Sequence, residues 1–387
     1  MTEDALLVLA DGTRFVGKNL GATGTVSGEV IFNTAQSGYQ EILTDPSYHS
    51  QLITFTFPHI GNTGINQDDM EGALDSSMHC AGVIVRHLSQ KSSNWRSEQE
   101  MEHFLRINDR VGIQGIDTRQ LTIHIRQAGA LNGCILSGIR LDTESDFKRN
   151  TAKALEIARQ TSSMSGLALA PMVSLKEPLD WPASEAQDSN RHSIPLRIAL
   201  YDFGCKRNIL QLLHRQGAQI RIFPYHTSPQ EIADWKPSGV VLTNGPGDPA
   251  ACVEAIENTR DLLKRNIPIL GICLGHQILA LALGARTQKM KFGHHGANHP
   301  VLELKSGKVF ISSQNHGFAI DDSGLPAELV ITHRSLFDDS IQGFKHPDLL
   351  AVGFQGHPEA SPGPRELEVL IRQWVHATQT KESAHAS

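Results

Sequence analysis

From Leu196 onward, short apolar runs alternate with stretches of helical spacing. Leu196–Tyr201, Ile220–Phe223, Gly239–Thr243 and Pro268–Ile272 read as buried strands. Asn208–Gln216, Ala250–Arg265 and Leu274–Leu283 read as helices, the last stopped by Gly284. Strands that alternate with helices predict a mostly parallel sheet covered on both faces, an α/β unit. Val309–Ser312, Glu328–His333 and Leu350–Gln355 predict further short strands, and a closing helix is expected from Arg365 to about His376. The last residues, Lys381–Ser387, carry no apolar pattern and are expected to fray.

The first half has a different rhythm. Leu6–Leu9, Val30–Asn33, Leu52–Thr56, Gly82–His87, Val111–Ile116 and Gly133–Leu136 are strand candidates interrupted by glycine and turn signals. Helices are expected over about Glu98–Ile107 and Thr118–Gln127. This predicts a smaller α+β domain. Between the halves, Leu175–Pro195 is rich in Pro, Ser and charge and carries no periodicity. The expected organisation is therefore 1–174, a linker over 175–195, an α/β domain over 196–380 and a tail over 381–387.

Composition narrows the function. With 35 Lys and Arg against 41 Asp and Glu, the net charge is −6 and no basic face offers itself to nucleic acid. The start of the chain, acidic and followed only by the short apolar run Ala5–Ala10, lacks the form of a signal peptide or membrane span. Five scattered cysteines (Cys80, Cys134, Cys205, Cys252, Cys273) without a CxxC pair fit a reducing cytoplasm better than a disulfide framework. No phosphate-binding P-loop is present, and Gly21, Gly24 and Gly28 do not have dinucleotide-fingerprint spacing.

The most informative segment is Gly271-Ile272-Cys273-Leu274-Gly275-His276-Gln277, which ends a predicted strand and opens a predicted helix. This is the G-x-nucleophile-x-G pattern of a strand-to-helix elbow. A sharp turn leaves no room for side chains at Gly271 and Gly275. The helix N-terminus favours a thiolate at Cys273, and the Leu274 N–H is directed toward a developing oxyanion. In isolation a cysteine reads as a buried, inert packing residue, and the other four keep that reading.

Near the end lies Gly356-His357-Pro358-Glu359. Proline holds His357 extended, so residues two apart face the same way and Glu359 stands beside the imidazole. A carboxylate there fixes the tautomer and stabilises the imidazolium of a nucleophile–base pair. Asn244-Gly245-Pro246-Gly247-Asp248-Pro249 follows another strand. Its glycines let backbone N–H groups approach a ligand, or it forms an ordinary turn with Asp248 as a helix cap; both readings are compatible. Gln314-Asn315-His316-Gly317-Phe318 reads equally as a polar binding segment or a turn. The histidines His294, His295 and His299 invite a metal reading, but no carboxylate or cysteine of suitable spacing joins them, so a packed polar loop and no metal site are expected.

The ordered motifs GPGDP, GICLGHQ and HPE make residues 196–378 resemble the class I, triad-type glutamine amidotransferases. The segments GEVIFNTAQSGYQEILTDPSYHSQ, FPHIGNTG and GIDTRQLT in the first half, with MKFGHHGANHPV and QNHGFAI in the second, resemble the carbamoyl-phosphate synthase small-subunit family. That resemblance implies Cys273 as nucleophile, His357 as general base and acid, and Glu359 as its orienter. It further implies a glutamine site of Ser47, Gly245, Gly247, Leu274, Gln277, Asn315, Gly317 and Phe318. Ser47 would reach across from the first domain; by itself it reads as a turn residue after Asp45-Pro46.

By the same resemblance the chain holds no cofactor and partners a large subunit as a heterodimer or higher oligomer. That subunit would use ATP, magnesium and bicarbonate, receive ammonia through a tunnel, and serve arginine and pyrimidine synthesis. Two rivals remain: a γ-glutamyl hydrolase acting alone, and a regulatory module that no longer hydrolyses glutamine.

Overall fold

A computed structural model describes residues 3–72, 77–181 and 196–386. It divides into two compact units, residues 1–165 with 290–296, and residues 166–289 with 297–387.

In the first unit seven strands close into a barrel. Around it run Asp4–Leu9, Arg14–Gly21, Val111–Gln114, Gly82–Val85, Gln51–Phe55, Gly24–Asn33 and Leu131–Ile139, which returns to the first strand. Three adjacent pairings on one side, from Gly24–Asn33 to Val111–Gln114, are parallel. The other four are antiparallel. The first strand shows why its sequence is continuously apolar. Ala5, Leu7 and Leu9 join the cluster containing Val30, Leu52, Ile113 and Ile135, while Leu6 and Val8 pack on the opposite face. Each such leucine contributes about 1.5–3 kcal/mol by leaving water.

The second face is covered by the helix Glu144–Gln160, capped by the Thr143 side chain and pressed on the barrel through Ala154 and Ala158. Its stripe relies on alanines, so the helical apolar signal is faint. Arg14–Gly21 is similarly faint, since only Phe15 and Leu20 are large buried apolar residues on it. Neither element is among the sequence expectations. The two expected helices form over Met101–Ile107 and Thr118–Ala128.

The second unit is built on a ten-stranded sheet. Its central strands Gln219–Phe223, Arg197–Tyr201, Gly239–Leu242, Ile269–Ile272 and Ala351–Phe354 lie in that order and run parallel. Beyond them Ile341–Lys345, Val330–Ser335, Thr287–Glu303 and Val309–Ile320 extend the sheet, the first three by antiparallel pairing. The helices Val253–Lys264 and Leu274–Ala282 pack on one face through Ala255, Leu262, Ile278 and Leu279.

Several expectations are corrected. His294, His295 and His299 lie in the long strand Thr287–Glu303, not in a loop, and residues 290–296 of that strand are counted with the first unit. There the His295 carbonyl accepts the N–H of Thr34, the residue after the strand Gly24–Asn33, at 3.1 Å. Among the described residues, no group of three or more His, Cys, Asp or Glu side chains is placed to hold a metal. The expected helix at Ala250–Arg265 begins only at Val253, after a 3-10 turn over Pro249–Ala251. The closing helix is Glu368–Ala386 and runs well past His376. Lys381 donates to the Asn266 carbonyl at 2.8 Å, which ties down part of the expected tail. No helix of the described residues is long and apolar enough to cross a membrane.

The division between the units falls at Ser165/Gly166, ahead of the boundary expected at 174. Ala170 is fully buried in the second unit's core, and Leu179–Asp180 adds an edge strand to its sheet. The remainder of the expected linker, 182–195, lies outside the described residues.

Candidate active site

Four neighbouring parallel strands end on the same edge of the sheet, and each passes into a segment of the site. Arg197–Tyr201 leads to Asp202–Lys206, Gly239–Leu242 to Thr243–Gly247, Ile269–Ile272 to Cys273, and Ala351–Phe354 to Gln355–Glu359. The crevice outside the carboxyl ends of parallel strands is where such sheets collect functional groups.

Cys273 occupies the turn between strand and helix with φ 52° and ψ −106°, a conformation that costs a non-glycine residue about 1–3 kcal/mol. Hydrogen bonds hold it there. Its N–H donates to the Phe354 carbonyl at 3.0 Å, its carbonyl accepts the Gln277 N–H at 3.2 Å, and the Gly275 N–H donates to Thr243 at 2.9 Å. The flanking glycines are dictated by space. A Cβ at Gly275 would stand 2.1 Å from the Leu242 carbonyl oxygen, and one at Gly271 would stand 2.5 Å from that of Gly275. The thiol is 2% exposed and donates to the Asn315 carbonyl at 3.4 Å.

Glu359 stands beside His357 as the sequence spacing requires. Its Oε1 lies 2.6 Å from His357 Nδ1, and both side chains are buried. The Nδ1 contact leaves Nε2 as the nitrogen free to exchange a proton. An antiparallel bridge to Ser313, whose carbonyl accepts the His357 N–H at 2.9 Å, sets the histidine backbone. Burial drives the imidazole toward its neutral form, yet the Glu359 carboxylate and the Cys273 sulfur prevail and raise its pKa to about 10. Burial opposes ionisation of Glu359 too, but His357 and Lys206 hold that carboxyl below its ordinary range.

Lys206 and Gln355 were not singled out from sequence. Lys206 is buried with Nζ 3.5 Å from Glu359 Oε1, and it donates to the carbonyls of Ala360 at 2.5 Å and Ser361 at 2.6 Å. It thus supports the Glu359 turn from beneath. Asn208 donates to the Glu359 carbonyl. Gln355 Nε2 approaches Cys273 Sγ at 3.9 Å, and its Oε1 accepts from Gln277 at 2.9 Å. Gln277 also donates to the Phe318 carbonyl at 2.7 Å. Two polar residues next to known signals, Lys206 after a strand end and Gln355 before the histidine, were the only sequence hints.

The other expected residues fall on these segments. Leu274 opens the helix, so its N–H has no intrahelical acceptor. Gly245 packs where a Cβ would meet the Phe203 carbonyl oxygen at 2.1 Å, and Gly247 has φ 99°. Asn315, Gly317 and Phe318 lie on the strand Val309–Ile320, so this segment is strand and not turn. A Cβ at Gly317 would find only Lys289 Nζ, 4.0 Å away, and Lys289 sits 5.0 Å from the Phe318 ring centre. Ser47 belongs to the first unit, buried in the short 3-10 turn Pro46–Tyr48 with its N–H donated to Asp45 at 2.9 Å.

The elbow cysteine and the buried His–Glu pair stand at the carboxyl ends of the parallel strands of one mixed sheet, and the family model for glutamine amidotransferase class-I matches residues 199–377. A second model, carbamoyl-phosphate synthase small chain, CPSase domain, matches residues 7–135. The carbamoyl phosphate synthase small chain of Vibrio cholerae is 49% identical over 386 residues, covering 97% of this chain and 98% of its own length. That of Ralstonia nicotianae is 47% identical over 377 residues, covering 96% and 97%. The chain belongs to the carbamoyl-phosphate synthase small chain family.

Proposed function

We propose that this chain hydrolyses glutamine with a Cys273–His357–Glu359 triad and delivers the ammonia to a large synthase subunit. The observation that carries the reading is the strained elbow that presents Cys273 beside a buried imidazole paired with Glu359 at 2.6 Å. The thiolate attacks the side-chain amide carbon of glutamine, and the carbonyl electrons move to oxygen. Backbone N–H groups of Leu274 and Gly247 receive that oxyanion. On collapse the C–N bond breaks, and the proton carried by His357 goes to nitrogen, which leaves as ammonia. The remaining γ-glutamyl thioester is attacked by water that gives its proton to His357, and glutamate departs as the C–S bond breaks.

Gly245, Gln277, Asn315, Gly317 and Phe318 complete the glutamine site in this reading. The partner is the large chain implied by the relatives' designation as small chains. That chain takes ammonia, bicarbonate and magnesium–ATP to carbamoyl phosphate, for arginine and pyrimidine synthesis in the cytoplasm. This chain itself needs no cofactor for amide hydrolysis, because nucleophile, base and oxyanion donors are all its own.

The test is glutamine-dependent glutamate release by the wild-type chain and by Cys273→Ser, alone and with the copurifying large chain. The reading expects turnover in the wild type, none in the variant, and ATP-dependent carbamoyl phosphate only in the complex. Turnover in Cys273→Ser overturns the nucleophile assignment. Native mass spectrometry that finds no heavier companion overturns the partner assignment.

A further inference from the structure

Residues 166–169 lie in neither family-model match, which cover 7–135 and 199–377. They nevertheless lie against the loop bearing Gly247. The Asp248 N–H donates to the Leu167 carbonyl at 2.9 Å, and the Gly166 N–H donates to Asp248 Oδ2 at 2.8 Å. The fit is close: a Cβ at Gly247 would stand 2.6 Å from the Leu167 carbonyl oxygen and 2.8 Å from the Leu169 nitrogen. The segment is anchored just beyond, where Leu169 and Ala170 are buried, Ala170 in the core that also holds Leu274. Further along, the Leu175 N–H donates at 2.8 Å to Asp202, on the strand end leading to Lys206.

From this geometry we infer that Asp248 is a positioning residue for glutamine hydrolysis, clamping the Gly247 amide through the strap 166–169, which is a working part of the amidase. The inference rests on the proposed use of the Gly247 N–H as an oxyanion donor. Asp248 accepts on both carboxylate oxygens, Oδ2 from Gly166 and Oδ1 from the Ala250 N–H at 2.9 Å. Its backbone joins the strap as well. The Gly247 peptide, at φ 99°, is thus fixed from its C-terminal side. A donor held in place before charge develops is what makes an oxyanion site effective, and a misplacement of an ångström is expensive. The alternative is that Asp248 only caps the turn Pro249–Ala251.

Asp248→Asn separates the two. Asparagine keeps the size but has one acceptor oxygen, so its NH2 must face one of the two N–H donors. In the complete complex, glutamine hydrolysis is measured together with the rate of Cys273 alkylation by iodoacetamide, a displacement at sp3 carbon that makes no oxyanion. A positioning role predicts kcat lowered about tenfold, KM within about twofold, and alkylation unchanged. Gly166→Ala, which strains the strap at φ 82° without a clash, should show the same split to a smaller degree. Unchanged kcat in Asp248→Asn, or kcat and alkylation falling together, overturns the proposal. Absence of glutamine hydrolysis by the wild type would instead remove the functional reading beneath it.

Discussion

Each unit contains a histidine–carboxylate contact of 2.6 Å, and the two could hardly be less alike in consequence. On the barrel, His124 Nε2 meets Asp11, and both side chains are about a third exposed, 31% and 33%. In the second unit His357 meets Glu359 with 2% and 0% exposed. Water screens the first pair, so it contributes what surface pairs do, at most about 1 kcal/mol. The second must offset the full cost of burial, and does so with Lys206 beneath and the Cys273 sulfur beside it. The lesson is that distance alone does not make a site. In the proposed reaction it is the buried pair, whose remaining nitrogen would serve the nucleophile, that matters.

The cysteines repeat the contrast. Burial pushes the Cys80 thiol up to about 12 and that of Cys134 to about 11, so both stay protonated packing residues. Cys273, equally buried, has an imidazole for a neighbour.

Altering the buried arrangement should have the largest effects. Cys273→Ala removes the nucleophile and should lower glutamine turnover by about 10⁴-fold or more, whereas Cys80→Ala should leave kcat unchanged; steady-state glutamate release reads both. Next comes Glu359→Gln, expected to lower kcat about 10²–10⁴-fold with the fold kept, because the imidazolium loses its counter-charge and Lys206 its partner. Equal kcat in this variant would erase the distinction between the two pairs.

The pH dependence of stability sharpens it. His357 is raised from 6.5 to about 10, so its contribution is fully present below pH 6.5 and lost as pH rises through about 10. Glu359 is depressed, so its contribution is present above the ordinary carboxylate range and lost as pH falls through its folded value. The Tm advantage of wild type over Glu359→Gln should therefore be greatest between about pH 5 and 6.5 and shrink toward pH 10. An advantage that grows with alkalinity would contradict the assigned direction. Smallest of all, Asp11→Asn should cost less than about 1 kcal/mol, fade in high salt and leave kcat alone, as read by denaturant unfolding.

Much of the second unit was legible because its strands are buried on both faces and its turns carry glycines with steric reasons. Gly275 and Gly271 report a crossing that only a missing side chain permits, and Pro358 reports the extended geometry that sets Glu359 beside His357. What escaped was whatever depends on partners distant in sequence. Lys206 is an ordinary charged residue until the fold brings Glu359 to it, across more than 150 positions. The barrel was visible only as isolated strands, since closure depends on pairings such as Asp4–Leu9 with Leu131–Ile139, and alanines hid the helix that covers it. The long strand Thr287–Glu303 was missed for a related reason: its histidines and glycines lack β-forming character, and pairing decides its conformation.

The proposed hydrolysis depends on covalent chemistry at one sulfur. Glutamine-treated complex, quenched in acid within a single turnover and digested, should yield the peptide containing Cys273 with a γ-glutamyl group attached, an adduct that Glu359→Gln should not accumulate within the same interval. A glutamyl group on any other residue, or glutamate released without an adduct ever accumulating on Cys273 even when deacylation is slowed, would contradict it.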